Sequence, residues 1–282
     1  MNLNEDLVLE DVTVYPEADR TRTPILRGIG LRIGRGEWIS VVGRNGSGKS
    51  TLIRTIAGVQ PAHEGVVRRG FAGDEPIPYV MQRDHQWFGE TPREELVFWL
   101  EMRGEPASRI RDKVDSALAA VGLAEAAERP LSQLSGGQRQ LVAAAGCLAA
   151  DAPLLIFDEA TSMLDTAARR LVFGAVRAIH ASGTTVLWLT HHQEEAACGD
   201  RIVALHHGSI AYDGPPALFY YGEAERFLGE FGDSGSGAAP CDALGFEPPF
   251  AVRVARELMR HGVRFGRLPL TAEQLADEVK AG

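Results

Sequence analysis

The stretch GRNGSGKS at residues 43–50 constrains the fold of this chain more than any other feature. It satisfies the spacing G-x-x-x-x-G-K-[ST] and lies between an apolar segment, EWISVVG, and a helix-like segment, TLIRTIAG. Such a loop joins a strand to a helix, its glycines let backbone N–H groups turn towards a phosphate, and the helix N-terminus attracts negative charge. The pattern therefore predicts a phosphate-binding loop, with the candidate residues Gly43, Asn45, Gly46, Ser47, Gly48, Lys49, Ser50 and Thr51.

The lysine of this loop is informative because lysine is scarce in the chain. Only Lys49, Lys113 and Lys280 occur, and arginine supplies nearly all the positive charge. In a nucleotide site Lys49 would bridge the β- and γ-phosphates of ATP, and the Ser50 hydroxyl would bind Mg²⁺. The alternative is a Gly-rich turn that has this spacing by chance, which the strand–helix context disfavours.

The composition describes a globular chain and argues against several partner classes. The 282 residues are 45% hydrophobic with a formal charge of −9, which disfavours a nucleic-acid binder or a polybasic membrane anchor. Three widely spaced cysteines suit neither a disulfide framework nor a CxxC metal site, so a reducing cytoplasm is expected. The acidic start is unlike a signal peptide, and the longest apolar run, about ten residues, is too short to span a bilayer. We therefore expect membrane association only through a partner.

Alternating strand-like and helix-like segments predict an α/β fold. Segments such as LLIFDE and TTVLWLTHH are typical of strands, and their alternation with helices indicates a mostly parallel sheet covered by helices. Continuous helical character from about residue 91 to 150 predicts an inserted helical subdomain. We assign 1–232 to the main domain, 233–245 to a Gly/Ser/Pro linker and 246–282 to a C-terminal helical extension. The extension is too short to fold alone, so its apolar stripe must pack on the main domain or, as a dimerisation element, on another subunit.

The segment LLIFDE ends an apolar strand with two adjacent carboxylates, Asp158 and Glu159. Charge at the end of a buried strand needs a partner. Beside a phosphate loop, Asp158 would bind Mg²⁺ and Glu159 would polarise the water that attacks the γ-phosphate. The alternative is a strand that reaches the surface at an acidic turn.

The segment LSGGQ opens the helix-like stretch GGQRQLVAAAGCLAA. By itself this pattern favours an ordinary helix start with Ser135 as the N-cap. A serine hydroxyl with bare glycine amides at a helix N-terminus could also bind a second phosphate, through Ser135, Gly136, Gly137 and Gln138. Two phosphate-binding elements in one chain suggest a head-to-tail dimer, in which the loop of one subunit faces the LSGGQ of the other.

The motifs GRNGSGKST, LSGGQ, LLIFDE, SMLD and the TH of LWLTHH resemble ABC-transporter ATPase subunits in order and spacing, from about Leu7 to Gly229. The resemblance implies a P-loop NTPase (RecA-like) core, an N-terminal antiparallel β subdomain and the cofactors ATP and Mg²⁺. It also implies further site residues. These are Tyr15, which would stack on adenine, Gln82, which would touch Mg²⁺ and the water, Asp165 at the dimer seam, and His191 at the γ-phosphate. Ala160 and Thr166 replace prolines common in the family, and neither change removes a chemical group, so we expect a hydrolytically competent site.

The stretch QRDHQWFGETPREELVF is similar to the corresponding stretch of energy-coupling-factor (ECF) importer ATPases, as are DEATSMLD and the C-terminal tail. This similarity implies a transmembrane coupling subunit docked near Asp84–Glu95, where Asp84, Glu90, Glu94 and Glu95 would face arginines. It also implies a second ATPase subunit, a paralogue rather than a second copy, and a membrane-embedded subunit that binds a vitamin or a transition-metal ion. The protein would then lie at the cytoplasmic face of the membrane.

Other interpretations of the chain remain open. The segment near Asp84 could be a solvated acidic turn, whereas a metal site is disfavoured because Asp84 and His85 are adjacent and point apart in an extended segment. The chain could serve a classical ABC importer or exporter. A soluble ABC ATPase that acts on DNA or the ribosome is less favoured, since the chain has no long coiled coil and a negative net charge.

Overall fold

The computed structural model describes residues 6–16, 23–73, 76–80, 87–222 and 238–281. Its strands are β1 (Leu7–Val14), β2 (Leu26–Ile33), β3 (Trp38–Gly43), β4 (Glu64–Arg68), β5 (Tyr79–Val80), β6 (Leu154–Asp158), β7 (Thr185–Leu189), β8 (Arg201–His206) and β9 (Ser209–Gly214). Its α-helices are α1 (Lys49–Ile56), α2 (Pro92–Met102), α3 (Ala107–Ala120), α4 (Gly136–Ala149), α5 (Thr166–Ala181), α6 (Gln193–Ala196), α7 (Pro216–Tyr221), α8 (Pro240–Ala243), α9 (Phe250–Arg260) and α10 (Ala272–Ala281).

A six-stranded sheet forms the core, in the order β5-β6-β7-β3-β8-β9. The pairs β5–β6, β6–β7, β3–β7 and β3–β8 are parallel, and β9 joins β8 as an antiparallel hairpin that turns at His207 and Gly208. Every residue of β3, β6 and β7 is buried, as expected for parallel strands covered on both faces. The predicted α/β fold with a mostly parallel sheet is confirmed.

A separate three-stranded antiparallel sheet, in the order β2-β1-β4, packs beside the core. Its alternating buried positions include Leu7, Leu9, Leu31 and Ile33, which join one apolar cluster with residues of α1 and the central sheet. Burial on one face is typical of an antiparallel sheet. This is the antiparallel β subdomain that the family resemblance implied.

The helical insertion contains α2, α3 and α4, which pack on one another and on α5. Helix α2 begins at Pro92 behind the N-cap Thr91, whose hydroxyl accepts a hydrogen bond from the Glu94 amide. Helix α3 buries Ile110, Val114, Ala117 and Leu118, whose spacing places them on one face of the helix. These side chains join Leu141 and Leu148 of α4 in one apolar cluster.

The C-terminal helices pack against the main domain of the same chain. Ala251, Val252 and Ala255 of α9 are buried in a cluster with Phe219 and Tyr220 of α7. The structure differs from the predicted linker at its C-terminal end, where residues 238–245 include α8 and the buried Cys241, because this segment also fills the cluster. Residues 233–237 of that linker lie outside the described residues. Across the part of the chain that the structure describes, no helix is long and apolar enough to cross a membrane.

Candidate nucleotide-binding and hydrolysis site

Three neighbouring parallel strands bring the predicted motifs to one edge of the sheet. The phosphate loop follows β3, Glu159 follows β6 and His191 lies two residues after the end of β7, while the strand order is β6-β7-β3. The carboxyl ends of parallel strands meet at the same edge, where α/β proteins bind ligands. The order of the strands therefore gathers residues that are far apart in the sequence.

The phosphate loop holds the amino group of Lys49 against two backbone carbonyls. Lys49 is only 6% exposed. Its Nζ donates hydrogen bonds to the Gly43 oxygen at 2.7 Å and the Arg44 oxygen at 3.3 Å. Burial lowers the pKa of Lys49, and the charges of Glu159 and Asp158 act in the opposite direction. A buried cation with two acidic neighbours and only carbonyl partners is suited to bind an anionic phosphate.

The shape of the loop requires glycine at two positions. Gly48 has φ +102, and a Cβ there would lie 2.7 Å from Cδ2 of Leu26. A Cβ on Gly43 would lie 2.4 Å from Oγ of Ser47, which is buried and packs against the Gly43 backbone. Gly48 is also the N-cap of α1 and offers no side-chain cap, so the first amides of this helix remain available to a phosphate. The residues fit a nucleotide phosphate group.

Asp158 is buried at the end of β6, next to β5. Its Oδ2 accepts a hydrogen bond of 2.7 Å from the hydroxyl of Tyr79. Burial raises the pKa of Tyr79, and the charge of Asp158 raises it further, so the phenol stays a hydrogen-bond donor. The donor set of Asp158 with the Ser50 hydroxyl is hard oxygen, which suits Mg²⁺. Tyr79 could not be predicted from the sequence, because its contact with Asp158 depends on the pairing of β5 with β6.

Glu159 and His191 are in direct contact. Nε2 of His191 meets Oε1 of Glu159, and the carboxylate is mostly buried while the imidazole is more exposed. Glu159 has a left-handed backbone, φ +52, which is uncommon outside glycine and turns the chain sharply after β6. Its amide still donates to the Leu189 oxygen at 3.0 Å, so the turn is fixed to β7. Glu159, predicted to polarise the attacking water, and His191, which the resemblance assigned to the γ-phosphate, therefore lie together.

The signature segment LSGGQ forms the capped start of α4. Ser135 Oγ accepts a hydrogen bond from the Gln138 amide, and Gln138 Oε1 accepts one from the Ser135 amide, which is a capping box. The ordinary helix-start interpretation is thus correct for the free chain, and it leaves Ser135 and Gly136 exposed. A Cβ on Gly137 would lie 3.6 Å from the Met163 oxygen, so the signature packs against the SMLD segment.

Asp165 caps α5. Its Oδ1 accepts a hydrogen bond of 2.8 Å from the Ala168 amide, and the residue is exposed. Met163, two residues earlier, is 63% exposed although it is apolar. Together with Ser135 and Gly136, these residues form one exposed surface, which we call the signature face.

Tyr15 lies just beyond the end of β1. Its amide donates to Nδ1 of His63 at 3.2 Å, its hydroxyl donates to Oε1 of Glu64 at 3.3 Å, and its ring meets the His63 ring edge-on. The side chain is half-buried, so the ring has both local support and access to solvent. The role of Tyr15 towards adenine stays a prediction. Gln82, the remaining predicted site residue, lies outside the described residues, as do Asp84 and His85.

The region predicted to dock a membrane partner differs from the expectation at Glu95. This carboxylate is 2% exposed, and its oxygens accept hydrogen bonds of 2.8 Å from the amides of Phe88 and Gly89 and from Nε1 of Trp99. Its assignment as an exposed acid is therefore wrong, because its charge is used to hold the preceding loop on α2. Glu90 and Glu94 are exposed as expected.

Exposed apolar side chains occur in the same segment as these two acids. Phe88 and Trp99 are 55% and 49% exposed, and Met102 is also exposed. The Phe88 ring stacks on that of Phe98, with centroids 4.5 Å apart. We call Phe88, Phe98, Trp99 and Met102 the aromatic ridge. Exposed apolar patches of this kind mark interaction surfaces.

A mostly parallel sheet with a phosphate loop at its carboxyl edge defines a P-loop nucleoside triphosphatase. The family model for ABC transporters matches residues 26–162. The energy-coupling factor transporter ATP-binding protein EcfA1 of Halalkalibacterium halodurans is 30% identical over 286 residues, which cover 98% of this chain and 97% of that protein. The corresponding EcfA of Methanosarcina acetivorans is 36% identical over 267 residues, 90% of each chain. The chain belongs to the family of ABC-type energy-coupling factor transporter ATP-binding proteins.

Solved structures agree with this family. A dimeric ATP-binding cassette in a post-hydrolysis state, bound to ADP and Pi, matches with a TM-score of 0.66 and 26% sequence identity. The match covers 74% of this chain and 98% of that one. A second dimeric structure of a bacterial ABC transporter cassette matches equally well. The chain is therefore a nucleotide-binding ABC ATPase.

Proposed function

We propose that this ATPase powers an ECF-type importer for a vitamin or a transition-metal ion, through ATP-driven closure of a dimer with a second ATPase subunit. The main support is the convergence of Lys49, Asp158, Glu159 and His191 at one edge of the sheet. These are the residue types that hydrolysis of a bound ATP requires. Family membership supports the coupling to an importer.

The phosphate loop would bind the substrate. Lys49 exchanges its bonds to the carbonyls of Gly43 and Arg44 for bonds to the β- and γ-phosphates, because a charged acceptor forms the stronger hydrogen bond. The open N-terminus of α1 adds amide donors. Tyr15 would stack on adenine.

Ser50, Asp158 and Gln82 are the residues that we propose hold Mg²⁺. When bound, the ion would neutralise phosphate charge and polarise the γ-phosphoryl group. The protein's own contribution is to orient the carboxylate, since the Tyr79 hydroxyl fixes one oxygen of Asp158. Such outer partners orient the groups that contact a metal.

Glu159 is the proposed general base. Its carboxylate would accept a proton from the attacking water, and His191, which contacts Oε1, would hold the carboxylate in place and present its imidazole to the γ-phosphate. The fixed turn at Glu159 limits the positions that the carboxylate can take. Both residues must be present for efficient hydrolysis.

The signature face is the surface through which the proposed dimer would form. Ser135 and Gly136 are exposed and next to the exposed Met163 and Asp165, so this surface can complete a phosphate loop on another subunit. A head-to-tail arrangement with two-fold symmetry satisfies both elements at once. The similarity of DEATSMLD to one of two paralogous ATPases favours a heterodimer.

The aromatic ridge is the proposed docking surface for a transmembrane coupling subunit. Its exposed rings lie beside Glu90 and Glu94, so it suits a helix with apolar and arginine side chains. Through that subunit the ATPase would act at the cytoplasmic face of the membrane, together with a membrane-embedded substrate-binding subunit.

Purification of the tagged chain from host membranes tests this function. A second ATPase and two integral-membrane proteins should accompany the wild-type chain, and ATP should be hydrolysed. Phe88→Ala should lose the membrane proteins and keep ATP binding, since Phe88 is not among the residues proposed to contact the nucleotide. Val59→Ala, at another exposed apolar residue, is the matched control.

Two results would contradict the proposal. Recovery of the chain with ribosomes or DNA, and without membrane proteins, would favour a soluble ABC ATPase. Recovery with a pair of large transmembrane subunits and a separate soluble receptor would favour a classical importer.

A further inference from the structure

Glu195, in helix α6, is a buried carboxylate. It is not among the residues proposed above to bind or hydrolyse ATP. It is 6% exposed, and it lies four residues after His191 in the sequence. A buried carboxylate requires hydrogen bonds or charge partners to offset its lost hydration. The structure shows where these partners come from.

Three hydroxyl or indole donors meet this carboxylate. Oε1 accepts a hydrogen bond of 2.8 Å from Oγ1 of Thr161. Oε2 accepts bonds of 2.7 Å from Oγ1 of Thr190 and 3.0 Å from Nε1 of Trp188. Nε of Arg169, in α5, lies 3.7 Å from Oε1. Three separate segments, namely the turn after β6, the end of β7 and helix α5, therefore meet at this side chain of α6.

Each of the two threonines belongs to a catalytic segment. Thr161 is two residues after Glu159, in a turn closed by a hydrogen bond of 3.0 Å from the Ser162 amide to the Glu159 oxygen. Thr190 directly precedes His191, and its Oγ1 also accepts a bond of 3.0 Å from the His192 amide. Both hydroxyls are buried, so they have few alternative partners.

We propose that Glu195 is a positioning residue for hydrolysis, which fixes the segment of Glu159 and the segment of His191 to each other through Thr161 and Thr190. This inference rests on the proposed roles of Glu159 and His191. The Glu195 carboxylate has enough lone pairs for all its donors, whereas an amide has one oxygen and carries no charge. Loss of the carboxylate therefore loosens the contact between the base and the histidine without removing either.

The first test compares Glu195→Gln with Glu194→Gln, a change of the same chemistry at the exposed neighbouring residue. Glu195→Gln should lower kcat for ATP hydrolysis about 10- to 100-fold, because a small misplacement of catalytic groups has effects of this size. The Kd for ATP should stay within about twofold, since the phosphate loop is unchanged. Glu194→Gln should resemble the wild-type protein in both measurements.

The second test uses Thr190. Thr190→Val keeps the shape and removes the hydroxyl, whereas Thr190→Ser keeps the hydroxyl. Thr190→Val should reproduce the loss of kcat seen with Glu195→Gln, and Thr190→Ser should retain most of the activity. A residue that only fills space would give the same result for both substitutions.

The outcomes separate this inference from the proposed function. Absence of ATP hydrolysis by the wild-type complex, purified with its second ATPase subunit, would overturn the function itself. An active wild-type chain with kcat unchanged in Glu195→Gln would overturn the positioning role alone. A parallel loss of ATP affinity and kcat, or equal activities of the Val and Ser variants at Thr190, would also overturn it, because either result indicates a general structural effect.

Discussion

Nε2 of His191 contacts Oε1 of Glu159 across the gap between the ends of β7 and β6. The contact joins two residues from segments that adjoin in the sheet and are separated in the sequence by helix α5. It places the proposed base and a more exposed imidazole at the same edge as the phosphate loop. Three of the predictions below concern residues at this edge of the sheet, and a fourth concerns the C-terminal helices.

Glu159→Gln should keep ATP binding and lose hydrolysis. A general base contributes about 10²- to 10⁴-fold, so kcat should fall by that factor. The isosteric amide can still contact His191, so ATP-bound dimers should accumulate and be visible by size-exclusion chromatography. Unchanged turnover, measured as phosphate release, would show that another group is the base.

Lys49 should make ATP binding sensitive to alkaline pH. Burial lowers its pKa below the ordinary lysine value of 10.5, so in the free protein the charged form is lost at lower pH than in an exposed lysine. Only that form bonds the phosphates well, and the phosphates themselves titrate at about pH 6. ATP affinity should therefore fall as the pH rises towards that ordinary value.

Lys49→Met is the control for this pH dependence. It should bind ATP about 10- to 100-fold more weakly at neutral pH, because a charged hydrogen bond is lost. Its affinity should then be flat over the alkaline range, as measured by isothermal titration calorimetry. A wild-type affinity that is also flat would contradict the assignment of Lys49.

Tyr79→Phe should weaken the response to Mg²⁺. The change removes the hydrogen bond to Asp158 and leaves the ring in place. Loss of an outer partner of a metal-binding group typically costs about 10- to 100-fold, so the Mg²⁺ concentration for half-maximal hydrolysis should rise by a factor in this range. Tyr212→Phe, which removes a bond to the Pro215 oxygen, is the control and should leave the Mg²⁺ titration unchanged.

Val252→Asp should destabilise the whole chain. Val252 of α9 is fully buried in the apolar cluster that contains Phe219 and Tyr220. An unpaired charge in such a place costs about 3 kcal/mol or more of the free energy of unfolding. The midpoint temperature of thermal unfolding should therefore fall, and unfolding should remain a single transition. Val279→Asp changes an exposed valine of α10 in the same way, and its transition should move little. Two separate transitions in Val252→Asp would indicate that the extension folds independently.

The sequence was sufficient for the residues that end parallel strands. Gly43 and Asp158 could be placed at one edge because motif order and strand alternation predict a parallel sheet, and such a sheet aligns its carboxyl ends, whereas His191 was assigned by the family resemblance. The same reasoning could not find Tyr79 or Glu195. Their partners are set by side-chain contacts between β5 and β6 and between α6 and three other segments, which no local pattern records.

Glu95 is a residue whose role was predicted from the sequence and was wrong. Local sequence placed it with Glu90 and Glu94 as one acidic surface, and the helical period alone could not tell which of the adjacent acids Glu94 and Glu95 faced inward. The structure turns Glu95 towards the amides of Phe88 and Gly89, where its charge is satisfied without solvent. The Glu95 carboxylate is a strong hydrogen-bond acceptor, and the amides of Phe88 and Gly89 need an acceptor. Their pairing therefore sets the orientation of Glu95.

The bonds of Glu95 also have a mechanical consequence. They fasten Phe88 and Gly89 to α2 at two amides, and the Trp99 indole to the same carboxylate one turn further along the helix. A force applied to the Phe88 ring would therefore reach α2 through these hydrogen bonds of Glu95 as well as through the covalent chain.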